Sequence, residues 1–284
     1  KRCQEDLELP LHVEELKGIC KEHSVCPYEM AALIGKKAKI IIADYHHILL
    51  PSVRKSLFKR IEKNLSECII CFDEAHNVPD KCRDLLTATL SSITIERALK
   101  ENKQFNFDYE NDLFAIQNSL SQLNKGIPIE KNECLVKKED FPADKGLIEP
   151  LKEAADIVRE KQKRSSLGAL AYFLEAWNGP DEAFVRIISR NFTTSGKPYI
   201  SLSYKCLDPS LLISQLEAHS LLFVSGTLNP ASMYLDLFGL NPGNTITAEY
   251  ENPFPKENKL NLIVPNTTTQ YSKRDEKMYS RISK

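Results

Sequence analysis

Two short apolar runs constrain this chain more than any other feature. Ile69-Ile70-Cys71-Phe72 leads straight into Asp73-Glu74, and Ser220-Leu221-Leu222-Phe223-Val224 leads into Ser225-Gly226-Thr227. Runs of this length are too brief for a core helix and read as strands buried on both faces, as in a parallel sheet. A third run from Ala38 to Asp44, centred on Ile40-Ile41-Ile42, has the same character. Between it and Ile69, residues 52–65 place Val53, Leu57, Ile61 and Leu65 four apart, the stripe of an amphipathic helix. Strand, helix, strand is a βαβ unit, so the expected class is α/β with a parallel sheet.

The rest of the chain changes character along its length. Residues 1–26 are polar and hold three cysteines, and a helix is expected from Pro27 to about residue 36, because proline suits a first helical turn. Residues 85–190 show repeated helical periods, such as Leu167, Leu170, Phe173, Leu174 and Trp177, with a loop over 124–146. A mostly helical insertion is expected there, with 198–206 a strand returning from it. A short helix over 210–218 and a last strand over 258–264 complete the expectation. Residue 1 is Lys rather than Met, and the last residues read as cut off in mid-domain, so a truncated chain is expected.

The bulk numbers exclude some classes. The 284 residues carry a formal net charge of −1, so there is no global basic footprint, and any nucleic-acid contact must rest on local positive charge. No apolar stretch approaches the ~18 residues of a membrane helix. With eight cysteines in a chain long enough to have its own core, a reducing compartment is expected, cytoplasmic or, in a eukaryote, nuclear. Cys68 and Cys71 fall within a strand run and are expected to be core residues rather than a redox or zinc pair.

The sharpest chemistry lies at the end of the Ile69 run. Asp73-Glu74-Ala75-His76 places two carboxylates at a strand's carboxyl end, the edge where open α/β sheets bind ligands. In motor ATPases the Asp at this position helps hold Mg²⁺ on nucleotide phosphates, and the adjacent Glu can orient or deprotonate water. His76 can sense the γ-phosphate and pass its state to a neighbouring segment, for which Ser225-Gly226-Thr227 is the candidate. An Asp capping an ordinary strand explains an isolated Asp-Glu pair, and a Gly turn explains an isolated Ser-Gly-Thr; the two together favour the ATPase. No Gly-x-x-x-x-Gly-Lys-Ser/Thr loop occurs in the sequence, so this chain holds half a nucleotide site and is expected to be inactive alone.

The order of motifs resembles one family. Cys26-Pro27-Tyr28, the Ile40 run, Tyr45-His46-His47-Ile48-Leu49-Leu50-Pro51, the Asp-Glu-Ala-His box, a helical insertion, Cys206-Leu207-Asp208-Pro209 and Ser225-Gly226-Thr227-Leu228 follow one another as in XPD-type iron–sulfur helicases, most like the archaeal members. The likeness runs from about residue 3 to 284. It implies RecA-like motor domains decorated by an iron–sulfur domain and an arch, moving 5′ to 3′ on single-stranded DNA with Mg²⁺ and ATP, in DNA repair. On that map, 1–36 ends the iron–sulfur domain, 37–84 and 205–228 belong to the first motor domain, 85–204 is the arch and 229–284 begins the second motor domain. The resemblance makes Asp73 the Mg-ATP ligand and Glu74, His76, Ser225 and Thr227 the catalytic and coupling set. It makes Cys26 and Cys3 ligands of a 4Fe-4S cluster, with Cys20 a weaker candidate and the other ligands expected outside this chain. Tyr28, Tyr45 and His46 are the candidate DNA contacts. The implied protein is a monomer working with DNA-repair partners. The rivals are a DinG-type iron–sulfur helicase and a non-catalytic fragment that grips single-stranded DNA or a partner. The basic run from Arg159 to Arg164 reads as a solvated helix face.

Overall fold

The computed structural model describes residues 11–251, 254–258, 260–265 and 267–283, and Cys3 lies outside them. The chain divides into two compact units, one reaching Thr245 and one from Ile246 onward. Residues 229–245 therefore group with the first unit, where Phe238 stacks on Phe223 with ring centroids 4.1 Å apart. Among the described residues no helix is long and apolar enough to cross a membrane.

The first unit opens with α1 (Val13–Glu22) and α2 (Pro27–Lys37), the latter starting at Pro27 as proline's fixed φ favours. After an irregular stretch come α3 (His46–Leu49), α4 (Pro51–Ile61) and β1 (Ile69–Phe72). The chain continues through α5 (Val78–Leu86), β2 (Ala88–Ser91), α6 (Ser92–Gln104), α7 (Glu110–Lys125) and β3 (Glu133–Leu135). It then forms α8 (Ile148–Lys161), α9 (Ser166–Trp177), β4 (Phe184–Phe192), β5 (Pro198–Cys206), α10 (Ser210–Ile213), β6 (Ser220–Phe223) and α11 (Ala231–Phe238).

Two sheets result. β1 and β6 pair in parallel, Phe72 opposite Phe223, which makes the expected α/β core and suits a RecA-like arrangement. The second sheet is antiparallel, in the order β2-β5-β4-β3, and is built from strands between Ala88 and Cys206. Helices α6 to α9 make up most of that segment, as their periodicity indicates, and they pack on the sheet around Leu90, Leu113, Leu151, Leu174, Trp177 and Leu202. β5 has the bounds expected of a returning strand, but its partners are β2 and β4 rather than the parallel sheet.

A separate core under the parallel pair joins Leu49, Phe72, Val78, Leu212, Ile213 and Phe238.

Three strand expectations need correction. The run Ala38–Asp44 forms no strand, and Ile40 and Ile42 are 83% and 95% exposed. A β-branched run supplies an extended backbone but not a ladder partner about 4.8 Å away. Here the run and β1 both line a cavity of about 990 Å³, and no ladder closes across it. Second, β1 and β6 are not buried on both faces: Ile69 is 68% exposed and Leu222 51%. Only the face carrying Ile70 and Phe72 rests on a core, so Cys71 on the other face is exposed, and Cys68, just before the strand, is half-buried; neither has the expected core placement. Third, no strand forms over 258–264 among the described residues, where Leu260, Leu262 and Ile263 are exposed. The second unit consists, as described, of short turns and α12 (Glu276–Ile282), capped by the Asp275 carboxylate accepting from Met278 N at 2.6 Å.

Candidate functional site

Parallel strands end at the same edge, and this brings together residues far apart in sequence. Beyond the last in-register pair, the ladder runs on: Val224 N donates to the Phe72 carbonyl and Ala75 N to the Val224 carbonyl, both at 2.9 Å. Phe72 and Phe223 stack beneath this edge at 5.1 Å, fixing the two strand ends against the core. Asp73-Glu74-Ala75-His76 and Ser225-Gly226-Thr227 therefore face one another across the sheet edge.

Glu74 turns the chain sharply, with φ 48° and ψ 44°, a left-handed conformation uncommon for a residue with a Cβ. Its amide donates to Asp73 Oδ1 at 2.9 Å, and its carboxylate Oε2 stands 3.3 Å from His76 Nδ1. His76 Nδ1 also lies 2.7 Å from Ser225 Oγ. Ser225 Oγ in turn accepts from Thr227 N at 3.2 Å and sits 3.3 Å from Thr227 Oγ1. Glu74, His76, Ser225 and Thr227 thus form one connected polar chain. Asp73 and Glu74 are exposed, while Ala75 and Val78 beside them are buried and anchor the loop.

The chemistry this permits is definite. Asp73 offers an exposed hard oxygen donor of the kind Mg²⁺ takes alongside phosphates and waters. Glu74 offers a carboxylate that can accept a proton from water, and its link through His76 to Ser225 joins that carboxylate to the second strand end.

Tyr45, a candidate DNA contact, also reaches the carboxylate segment. It begins α3, its ring packs 6.1 Å from Phe72, and its hydroxyl donates to the Asp73 carbonyl and lies 3.3 Å from the Glu74 carbonyl. Burial, and then the nearby Asp73, Glu74 and Asp44 carboxylates, push its phenol above the usual range, so it stays a protonated donor. His46 is half-exposed and bonds Asp44, whose carboxylate it holds below the usual range chiefly through that side-chain bond. Nothing in the sequence pointed to the Tyr45 contact, since no local pattern says which loop a tyrosine at a helix start will reach.

Tyr28 and Cys26 lie at the start of α2. The Arg60 guanidinium covers the Tyr28 ring at 5.1 Å and pairs with Glu29, tying α2 to α4. Cys26 is exposed at the cap of α2 without a side-chain cap bond, whereas Cys20 is buried against Met30. A 4Fe-4S cluster takes four thiolates. The described residues of this module offer one exposed thiol, and among the described residues no group of three His, Cys, Asp or Glu side chains could hold a metal. The described donor set does not itself hold such a cluster, and no chemical step is routed through one.

Residues 2–95 match the DEAD_2 family. Over 270 residues the chain is 24% identical to the "Regulator of telomere elongation helicase 1 homolog" of Arabidopsis thaliana, covering 78% of this chain and 26% of that protein. Over 283 residues it is 25% identical to the "ATP-dependent DNA helicase chl1" of Aspergillus clavatus, covering 87% of this chain and 38% of that protein. Over 86 residues it is 31% identical to the "General transcription and DNA repair factor IIH helicase subunit XPD" of Arabidopsis thaliana, covering 30% of this chain and 11% of that protein. Among solved structures, S. tokodaii Xpd4 aligns at 20% identity with a TM-score of 0.44, over 66% of this chain and 39% of that one. The chain thus spans well under half the length of the curated relatives it matches.

Proposed function

We propose that this chain is part of an XPD-type helicase, that the full-length protein is an ATP-dependent DNA helicase moving 5′ to 3′ on single-stranded DNA, and that the joined ends of β1 and β6 are part of its nucleotide site. The observation that carries this reading is the 2.7 Å contact between His76 Nδ1 and Ser225 Oγ, which ties the two carboxylates of one strand end to the hydroxyls of the other. In it, Asp73 holds Mg²⁺ on the nucleotide, Glu74 orients and deprotonates the attacking water, and His76, Ser225 and Thr227 relay the nucleotide state. Tyr28, Tyr45 and His46 are the proposed contacts to the strand. Cys26, with Cys3, is the proposed contribution to a 4Fe-4S cluster. Work in DNA repair with repair-complex partners, in a nuclear or cytoplasmic compartment, belongs to the same proposal.

The test is Glu74→Gln in the full-length protein, measured by ATP hydrolysis with and without single-stranded DNA. Loss of a general base lowers turnover by roughly 10²–10⁴-fold, with strand binding retained. Turnover equal to wild type removes the assignment, and absent turnover in the wild type with intact strand binding favours the non-catalytic rival. Iron analysis checks the cluster: about four irons per chain in the wild type, falling in Cys26→Ser.

A further inference from the structure

The αL turn at Glu74 has a support that its sequence does not reveal. In extended backbone, successive carbonyls point to opposite sides, whereas a helical conformation of either hand turns them the same way. With Glu74 at φ 48° and ψ 44°, the carbonyls of Asp73 and Glu74 both turn toward one donor, the Tyr45 hydroxyl. That hydroxyl is itself fixed: the ring packs against Phe72 within the core under the parallel pair, and Tyr45 N-caps α3. One residue further on, Ala75 N is held by the Val224 carbonyl at 2.9 Å. The two carboxylates thus hang from a short segment held both by the residue that follows β6 and by Tyr45.

We propose that Tyr45 is a positioning residue for ATP hydrolysis, its hydroxyl holding the Asp73-Glu74 backbone in the left-handed turn that fixes where the two carboxylates stand. This rests on the nucleotide-site reading above. It gives Tyr45 a role in addition to its proposed contact with DNA.

The substitution that isolates the hydroxyl is Tyr45→Phe, which keeps the ring against Phe72. Two readouts are taken on the full-length protein. One is amide exchange of the peptide spanning residues 73–76, with the β4–β5 ladder as internal reference. The other is ATP turnover, with kcat normalised to nucleotide-binding stoichiometry. The expected result is faster exchange at 73–76 with the reference unchanged, and kcat lowered about five- to tenfold, the size of one hydrogen bond, with KM for ATP within about twofold. Unchanged exchange at 73–76 overturns the proposal whatever the turnover. Faster exchange with wild-type normalised kcat also overturns it, because the turn would then be held without consequence for chemistry. A wild type without turnover sinks the nucleotide reading instead, and the exchange arm alone then decides whether the hydroxyl holds the turn.

Discussion

Replacing Glu101 by alanine removes the acceptor for the first turn of α9, and its cost can be worked from the bonds it breaks. The first three amides of α9 have no partner inside the helix. Ser165 Oγ accepts from Gly168 N at 3.2 Å, while the buried Glu101 carboxylate accepts from Ser166 N at 2.7 Å and from Leu167 N at 3.1 Å. The same carboxylate takes Ser165 Oγ at 2.9 Å and Gln162 Nε2 at 3.2 Å, so it also holds the cap residue and the turn after α8. Leaving buried donors unpaired costs about 1–3 kcal/mol each, and losing a carboxylate at a helix N-terminus adds about 0.5 kcal/mol. Glu101→Ala is therefore expected to destabilise the insertion by about 3 kcal/mol. Glu101→Gln keeps one acceptor oxygen but loses the charge and sets a donor among donors, costing roughly half as much. Urea titration followed by circular dichroism measures both, and thermal melting should follow by about 6–12 °C for alanine. If both variants lie within about 0.5 kcal/mol of the wild type, the cap is held by something other than Glu101 and the reasoning fails.

Two further perturbations test other parts of the fold. Arg186 is buried between the rings of Trp177 and Tyr204, at 5.1 and 4.8 Å, and its Nη2 donates to the carbonyls of Trp177 at 2.8 Å and Gly179 at 3.1 Å. Arg186→Lys keeps the charge but loses the planar fork and the stacking, and should cost about 2 kcal/mol in the same titration; stability equal to wild type would show the charge alone suffices. Cys82 is fully buried, and burial, then neighbouring Cys206, pushes its thiol up to about 12 from 9.0. The unfolded chain therefore ionises at a lower pH than the folded one, so this group's contribution is fully present below pH 9 and is lost as pH rises toward about 12. Cys82→Ala should flatten that part of the wild-type stability profile, and iodoacetamide at pH 8 should label exposed Cys26 and Cys71 while sparing Cys82 until urea unfolds the chain. Early labelling of Cys82 would contradict its burial.

What the sequence determined by itself was local. The runs ending at Phe72 and Phe223 read as strands because several apolar residues in a row leave few alternatives, and the α/β class followed from them. The helix from Pro27 was legible from proline placement, and the apolar stripes of α4, α7, α8 and α9 from their period, although α4 ends at Ile61 rather than at the expected residue 65. The Asp73–His76 and Ser225–Thr227 motifs were legible because their chemistry is carried by contiguous residues. Tertiary structure alone decided partnership. The Ala38–Asp44 run has the composition of a strand and stays unpaired, while Glu133–Leu135, too short to stand out, pairs with β4 and extends the insertion's sheet. Cys71 looked like core because its neighbours are apolar, yet which face of a strand is covered depends on elements elsewhere in the chain. The contacts of Tyr45 with Asp73, of Glu101 with Ser166 and of Arg186 with Trp177 likewise bridge distant or differently oriented segments. Periodicity is set by bonds between near neighbours and survives in the sequence, whereas the choice of ladder partner, cap acceptor or covered face is made only when the chain closes on itself.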